Sequence, residues 1–423
     1  MRKTVTTIPQ MILLNIINIG FVAFWSVDGA FMTNYLTKKD YSPFALTDAA
    51  AGSILSIGQF MICIGFIIGL LSDGARTRFG KRMPFLISGV LVVAAGYAMI
   101  PHVNNIAALI VIQTIVYFAL VWGAIPYYSL IPDTTPEAKL GTCNAFFSVF
   151  GAIGTIVGYL VIGGMLADKT KYPELYRYLP FYATAGIALV TMLITTAFIR
   201  EDTNYADQPA PEPILKRAKS VLTDLPKYKD LTLFMGLNFF MWTGLQGFVK
   251  FFTRFMDADV GVPAAKASLL LGAIPIVAIV FAVPIGILAD KISRKGMFIV
   301  GLIGAILAMA AGFVFIKDMT SAAVIVTVAA IAIIDVFLLV GTIAPTLMPK
   351  DKMGLYMGVL SAATGLGGAV GVFVSGWLCT ALLNGMHARV IFLIGPVCLT
   401  ISLGFLMKMK IKNAWELKEE QTS

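Results

Sequence analysis

The stretch Asp73-Gly-Ala-Arg76-Thr-Arg78-Phe-Gly80-Lys81-Arg82-Met-Pro84 lies between two long apolar runs, and a weaker copy, Asp290-Lys291-Ile-Ser-Arg294-Lys295-Gly296, follows it at an offset of 217 residues. The same offset superimposes Trp25 on Trp242, Gly69 on Gly286, Pro132 on Pro349, Gly141 on Gly358, Gly151 on Gly368 and Gly154 on Gly371. An ungapped offset of half the chain implies duplicated halves. In a membrane protein such a duplication points to two bundles that rock about a central site, which is the architecture of a transporter rather than an enzyme.

Composition identifies the solvent. The 423 residues are 58% hydrophobic and 13% charged, with a mean hydropathy of +0.85, against about 25% charged in soluble domains. Windows long enough to cross a hydrocarbon core of roughly 30 Å as a helix fall at 10–37, 47–72, 84–100, 106–131, 139–167, 180–199, 230–256, 265–289, 297–316, 321–347, 353–383 and 389–408. The expected fold is therefore an all-α membrane protein of twelve transmembrane helices in two pseudo-symmetric six-helix bundles. The bundles are expected at 1–199 and 230–423, joined by a linker at 200–229.

Charge sets the orientation. Both termini and the loops after even-numbered helices carry about 22 of the 32 Lys and Arg residues, so this side is expected to face the cytoplasm at the cell membrane. The net charge of +9 is then mostly a topology signal, and no nucleic-acid partner is expected. The linker holds Pro209, Pro211, Pro213 and Pro226 around a basic segment beginning at Pro213, readable as an amphipathic helix on the inner leaflet or as a solvated tether. The apolar run behind Met1-Arg2-Lys3 is too long for a cleaved signal, so the first helix is expected to remain. Cys63, Cys143, Cys379 and Cys398 fall within spans at unrelated positions. They read as small buried hydrophobes without metal-ligand spacing or an implied disulfide. His102 and His387 fall in outward loops, which leaves no histidine for a proton relay. No cofactor or metal is expected.

The loop "SDGARTRFGKRMPFL" resembles that of the major facilitator superfamily, and within it the loop shared by the glycoside-pentoside-hexuronide cation symporters and the sucrose/proton symporter group. "IPYYSLIPDTTPEAKLG", from Ile125 to Gly141, is similar to the glycoside symporters' segment where the fourth helix enters the cytoplasm. "FWSVDGAFMTNYL" in the first helix is similar to the aromatic-rich stretch of sucrose-type symporters, with Asn34 at the position of its proline. The resemblance implies symport of a sugar or glycoside by a protein that is a monomer. Sodium-coupled members carry two second-helix aspartates, and those positions align with Met61 and Gly65 here. A hard cation needs several oxygens, so coupling to protons through another carboxylate is the expectation.

Buried charge converges on the same region. An ionised side chain near the bilayer centre costs about 2.5 to 17 kcal/mol, so it needs a partner, a wet cavity or neutralisation. Asp28 and Asp335 are the candidate proton-coupling carboxylates. For Asp28 the alternative is a structural carboxylate tied to Lys250, and for Asp335 a hydrogen bond to a neighbouring helix. Lys250 either pairs with Asp28 or snorkels outward, and Arg254 is expected to pair with Asp257. Sugar sites combine a stacking aromatic with bidentate polar side chains. Trp25, Asn34, Gln113, Tyr117, Trp122, Asn238, Trp242, Gln246 and Lys250 supply both, together with Asn18, interhelical packing being the alternative for any one aromatic. Asp73, Arg76, Arg78, Lys81, Arg82, Asp290 and Arg294 are the candidate gating charges, or simple topology determinants. A facilitator or exporter of another polar metabolite stays open. An intramembrane enzyme or a nutrient receptor is disfavoured, because the chain shows no nucleophile with a base in reach and no output domain.

Overall fold

A computed structural model describes residues 4–203, 223–348, 353–381 and 388–411. The basic linker segment from Pro213 to Leu222, Pro349 and His387 lie outside the described residues. Twelve long helices run through the described chain: α1 (Ile8–Thr37), α2 (Asp48–Gly74), α3 (Met83–Met99), α4 (Ile106–Thr134), α5 (Ala138–Leu166), α6 (Leu179–Phe198), α7 (Lys229–Ala258), α8 (Ala264–Lys291), α9 (Arg294–Phe315), α10 (Met319–Leu347), α11 (Met353–Ala381) and α12 (Ile391–Lys408). Their ends fall within about three residues of the windows read from sequence. Eleven carry stretches long and apolar enough to span a membrane. The other, α7, holds Lys250, Arg254 and Asp257 within its length.

Helix starts follow local chemistry. Thr7 and Gln10 form a capping box at the head of α1. Asn105 accepts from the N–H groups of Ala107 and Ala108 at α4, and Ser293 from that of Gly296 at α9, each such cap contributing about 1 kcal/mol. Prolines stand inside α4, α8 and α12 (Pro126, Pro132, Pro275, Pro284 and Pro396), as neighbouring helices in a membrane allow. Large apolar side chains such as Val190, Leu193, Val300 and Leu307 are exposed on outer faces, where only lipid can cover them.

The chain forms two compact units, Met1–Thr47 with Ile57–Ala218, and Asp48–Ser56 with Lys219–Ser423. In the first, α1 packs on α5 and α6, and α3 packs on α4 and α6. α2 lays Gly58 and Gly65 against Tyr117, Val121 and Ile125 of α4. In the second, α7 packs on α11 and α12, α9 on α10 and α12, and α8 on α10. Adding six to each helix number of the first set reproduces the second. The 217-residue repeat is therefore visible as the same five pairings made twice.

Candidate functional site

Helix α1 is not uniform. It is α-helical over Ile17–Val27, widens into a π-turn at Asp28–Met32, and returns to α-helix at Thr33–Thr37. A π-turn inserts one residue into the helical ladder and is frequent at functional sites. Here Asp28 opens it, wholly buried, its backbone N–H shared between the carbonyls of Phe24 and Trp25. The neighbouring α5 is also π-helical, over Val157–Leu166, and Gly158 lets that segment approach Ala23 and Ser26 of α1.

Tyr117 of α4 donates its hydroxyl to Asp28 Oδ1 at 2.7 Å, with both groups buried. Its ring lies against Gly58 of α2, where a Cβ would stand 2.6 Å from two ring carbons. Trp25 stacks nearly parallel to the same ring, with 6.2 Å between centroids and a 10° tilt, and Phe24 meets it edge-on at 6.3 Å. Gln113, one turn back on α4, is fully buried. Tyr97 of α3 packs on Phe24 at 4.7 Å, and its buried hydroxyl has no hydrogen-bond partner among the described residues. Tyr97 and Tyr159 both stand within electrostatic range of Asp28. Four helices therefore converge on one carboxylate.

The other residues singled out from sequence divide. Asn34 is buried, with its amide 3.4 Å from the Ala30 carbonyl. Asn18 donates to the Phe147 carbonyl at 2.9 Å. The Trp122 indole donates to Ser88 at 3.2 Å, between Phe85 and Phe118, on a different face of α4 from Tyr117. In the second unit, Asn238 donates to Phe234 of its own helix and Trp242 meets Phe337 of α10 at 5.5 Å. Gln246 is half-buried and Lys250 is 1% exposed. Asp335 of α10 is buried beside Gly301 of α9, whose Cβ position would lie 2.7 Å from Oδ2, and its Oδ1 has no partner among the described residues. Arg254 donates to Asp48 at 3.1 Å.

The cationic loop resolves into an inner and an outer set. Arg82 is buried, and its guanidinium joins three groups. Nε donates to Asp133 of α4 at 3.0 Å, Nη2 to Asp73 of α2 at 2.5 Å and Nη1 to Ser72 at 2.5 Å. Burial alone would lower its proton affinity, but the Asp133 and Asp73 carboxylates reverse that and hold it above the ordinary arginine value. From the end of α6, Glu201 reaches back to accept the N–H groups of Arg82 and Met83 at 2.8 and 3.0 Å, which caps α3 at its positive end. Burial raises the Glu201 carboxyl above its usual range. Gly80, at φ +108°, leaves room for that carboxylate, which a Cβ would meet. Arg76 and Arg78 point outward, Arg78 over the Phe79 ring at 4.7 Å. Lys81 is half-buried, and Arg294 begins α9 in a similar setting. Asp290 is the penultimate residue of α8, and its side chain is outside the described set. Asp133, Glu201, Ser72, Tyr97 and Gly58 were not anticipated. Asp133 and Ser72 carried a signal, through their places in the "IPDTTP" motif and at the head of "SDGARTRFGKRMPFL".

The profile of the Major Facilitator Superfamily matches residues 14–257 and 231–422, and the chain belongs to that superfamily as a membrane transporter. It is similar to the "Uncharacterized symporter" of Synechocystis sp. (strain ATCC 27184 / PCC 6803 / Kazusa), at 30% identity over 31% of this chain and 28% of that protein. It is also similar to the probable galactarate/D-glucarate transporter GarP of Escherichia coli (strain K12), at 26% identity over 31% of each. These matches span about a third of the relatives' length. Among solved structures, a D-xylose-proton symporter aligns with TM-score 0.74 over 96% of this chain and 98% of its own, at 15% identity. A peptide transporter reaches the same TM-score at 13% identity, so this likeness shows the fold alone.

Proposed function

We propose that this transporter is a proton-coupled symporter of a sugar or glycoside, working by alternating access as a monomer in the cell membrane with both termini cytoplasmic. The observation that carries the reading is Asp28, a fully buried carboxylate in a π-turn that accepts from the Tyr117 hydroxyl. A group so placed is neutral or charged according to what else the site holds, which links proton binding to substrate occupancy. Asp335, with an oxygen lacking a described partner, is the second coupling candidate. The aromatic, amide and amine side chains proposed to meet substrate are Trp25, Gln113 and Tyr117 in the first unit and Trp242, Gln246 and Lys250 in the second. The Arg82 cluster is proposed to hold the cytoplasmic ends of α2, α3, α4 and α6 as one rigid piece during the rocking motion.

Similarity to a galactarate/D-glucarate transporter favours a second reading of the substrate, a sugar carrying a carboxylate, with the buried Lys250 of α7 the side chain to test. Uptake of labelled neutral sugars and of sugar acids into proteoliposomes, with and without an inward proton gradient, tests both. Gradient-driven accumulation of a neutral sugar supports the first reading. Accumulation confined to acids, and lost in Lys250→Met, supports the second. No gradient-driven accumulation of any of them refutes both.

A further inference from the structure

The head of α9 and the end of α12 meet at one corner of the second unit. Lys295, the second residue of α9, donates to the carbonyls of Met407 and Met409 at 3.1 and 2.7 Å. Those carbonyls close α12, where the negative end of its dipole favours an ammonium. The contact gathers cations from three helices: Lys291 at the end of α8, Arg294 and Lys295 at the start of α9, and Lys408 with Lys410 at the end of α12. Lys291, Lys408 and Lys410 are exposed. Asp230 of α7 accepts the Lys410 N–H at 3.1 Å. Even with Asp290, the residue before Lys291 in the chain, counted as a second carboxylate, positive charge is in excess among the described residues of this corner. The matching corner of the first unit, where the head of α3 meets the end of α6, is balanced instead, with Asp73 and Asp133 on Arg82 and Glu201 on the head of α3.

We propose that this corner binds the headgroup of an anionic phospholipid, a partner that neither the substrate nor the coupling reading calls on. Basic clusters at the ends of membrane helices recognise such headgroups. The surface beyond the lysines suits the rest of the lipid. α9 and α12 pack side by side away from the corner, and Val300 and Ile303 of the one and Ile401 and Met407 of the other are exposed. At Gly404 of α12 a Cβ would meet nothing within 4 Å, which leaves that face of α12 shallow. An acyl chain lies there while its phosphate reaches Lys408 and Lys410. Free phosphate would meet the lysines alone, so the apolar run selects a lipid. Lys295 is a positioning residue, because its bonds to the two carbonyls hold the exposed lysines of α8 and α12 at one place.

Native mass spectrometry of the purified full chain, titrated in detergent with phosphatidylglycerol or phosphatidylcholine, reads this without a known substrate. The native protein is expected to bind its first phosphatidylglycerol at least about fivefold more tightly than its first phosphatidylcholine. In Lys291→Gln/Lys408→Gln/Lys410→Gln that preference should fall by roughly fivefold or more. Lys39→Gln/Lys171→Gln/Lys266→Gln, which removes the same number of exposed charges elsewhere on the chain, should retain it. All six lysines are exposed, so both variants should melt with the native protein in phosphatidylcholine vesicles, which separates a lost site from a lost fold. Equal binding of the two lipids by the native protein overturns the proposal. So does a full preference kept by the Lys291, Lys408 and Lys410 variant. An equal loss in both variants also overturns it, because the response would then be to net charge and not to this corner.

Discussion

Arg82→Ala should destabilise the end of the first unit that carries the α2–α3 loop more than any other single substitution in that loop. The guanidinium makes three short bonds, to Asp133, Asp73 and Ser72. Hydrogen bonds to charged groups each contribute about 1.5 to 3 kcal/mol, which gives a gross figure of roughly 4 to 9 kcal/mol. Two effects reduce it. The Arg82 side chain is 6% exposed, but those of Asp73 and Asp133 are 37% and 30% exposed, so water recovers part of their solvation. The three bonds also act as one unit, so their deletion energies do not add. A net loss of about 3 kcal/mol remains, in line with removing one partner of a buried pair. Arg82→Lys should lose about half as much, because a point charge on a flexible stem cannot bridge both carboxylates. The protein carries its own reporters. Cys143 is buried in the first unit, and Cys379 and Cys398 in the second. A thiol-reactive dye in a thermal ramp, with Cys143 kept as the sole cysteine, should show Arg82→Ala melting several degrees below its parent and Arg82→Lys in between. Equal melting of all three proteins would refute the idea that this guanidinium ties the helix ends together.

Other consequences follow from single residues. Because burial raises the Glu201 carboxyl, the folded state binds that proton more tightly than the unfolded chain. Its contribution is therefore present at low pH and is lost as pH rises from the ordinary value of 4.5 through the raised one. The stability of Glu201→Gln relative to wild type should thus improve with rising pH across that window, and a melting series showing the opposite trend would contradict the assignment. Gly80→Ala places a Cβ at φ +108° against the Glu201 carboxylate and should cost about 2 to 4 kcal/mol, read by the same dye. Tyr97→Phe removes a buried hydroxyl with no described partner and should leave the melting temperature unchanged or slightly raised; a drop of several degrees would mean that the hydroxyl is bonded. Gly371→Leu, where even a Cβ would meet the Thr243 carbonyl of α7, should disrupt the α7 and α11 pair and abolish the folded-protein peak in size-exclusion profiles.

The fold was legible because it depends on patterns that survive averaging over many residues. Apolar windows located helix ends to within about three residues, and the repeated loop with its 217-residue offset announced pairings that the two units do make twice. Asp28 was legible for a local reason, being a lone carboxylate in an apolar span. The arrangement around it was not. A π-turn and an α-turn are built from the same residue types, so nothing in the stretch from Trp25 to Asn34 announced the widening at Asp28–Met32. For Tyr117, sequence shows the ring and not the direction of its hydroxyl, which ends on Asp28. Trp122 lies only five residues further along α4, yet that turn of the helix carries it round to Ser88 and Phe85. Glu201 read as part of the linker, because its partners, the N–H groups of Arg82 and Met83, stand 119 and 118 positions away in the chain. Arg254 was paired with Asp257 on helical spacing, whereas its Nε reaches Asp48 at a sequence separation of 206. Long-range polar contacts of this kind leave no local periodicity to read.

The central claim is that proton and sugar cross together through Asp28. Its most direct test is to record lumenal pH, with a trapped indicator dye, in proteoliposomes holding the native protein or Asp28→Asn while a transported sugar is added outside. The account predicts lumenal acidification on sugar addition for the native protein, and none for Asp28→Asn although sugar-for-sugar exchange continues. Equal acidification in both would contradict it and move the coupling proton to another carboxylate, with Asp335 the first to examine.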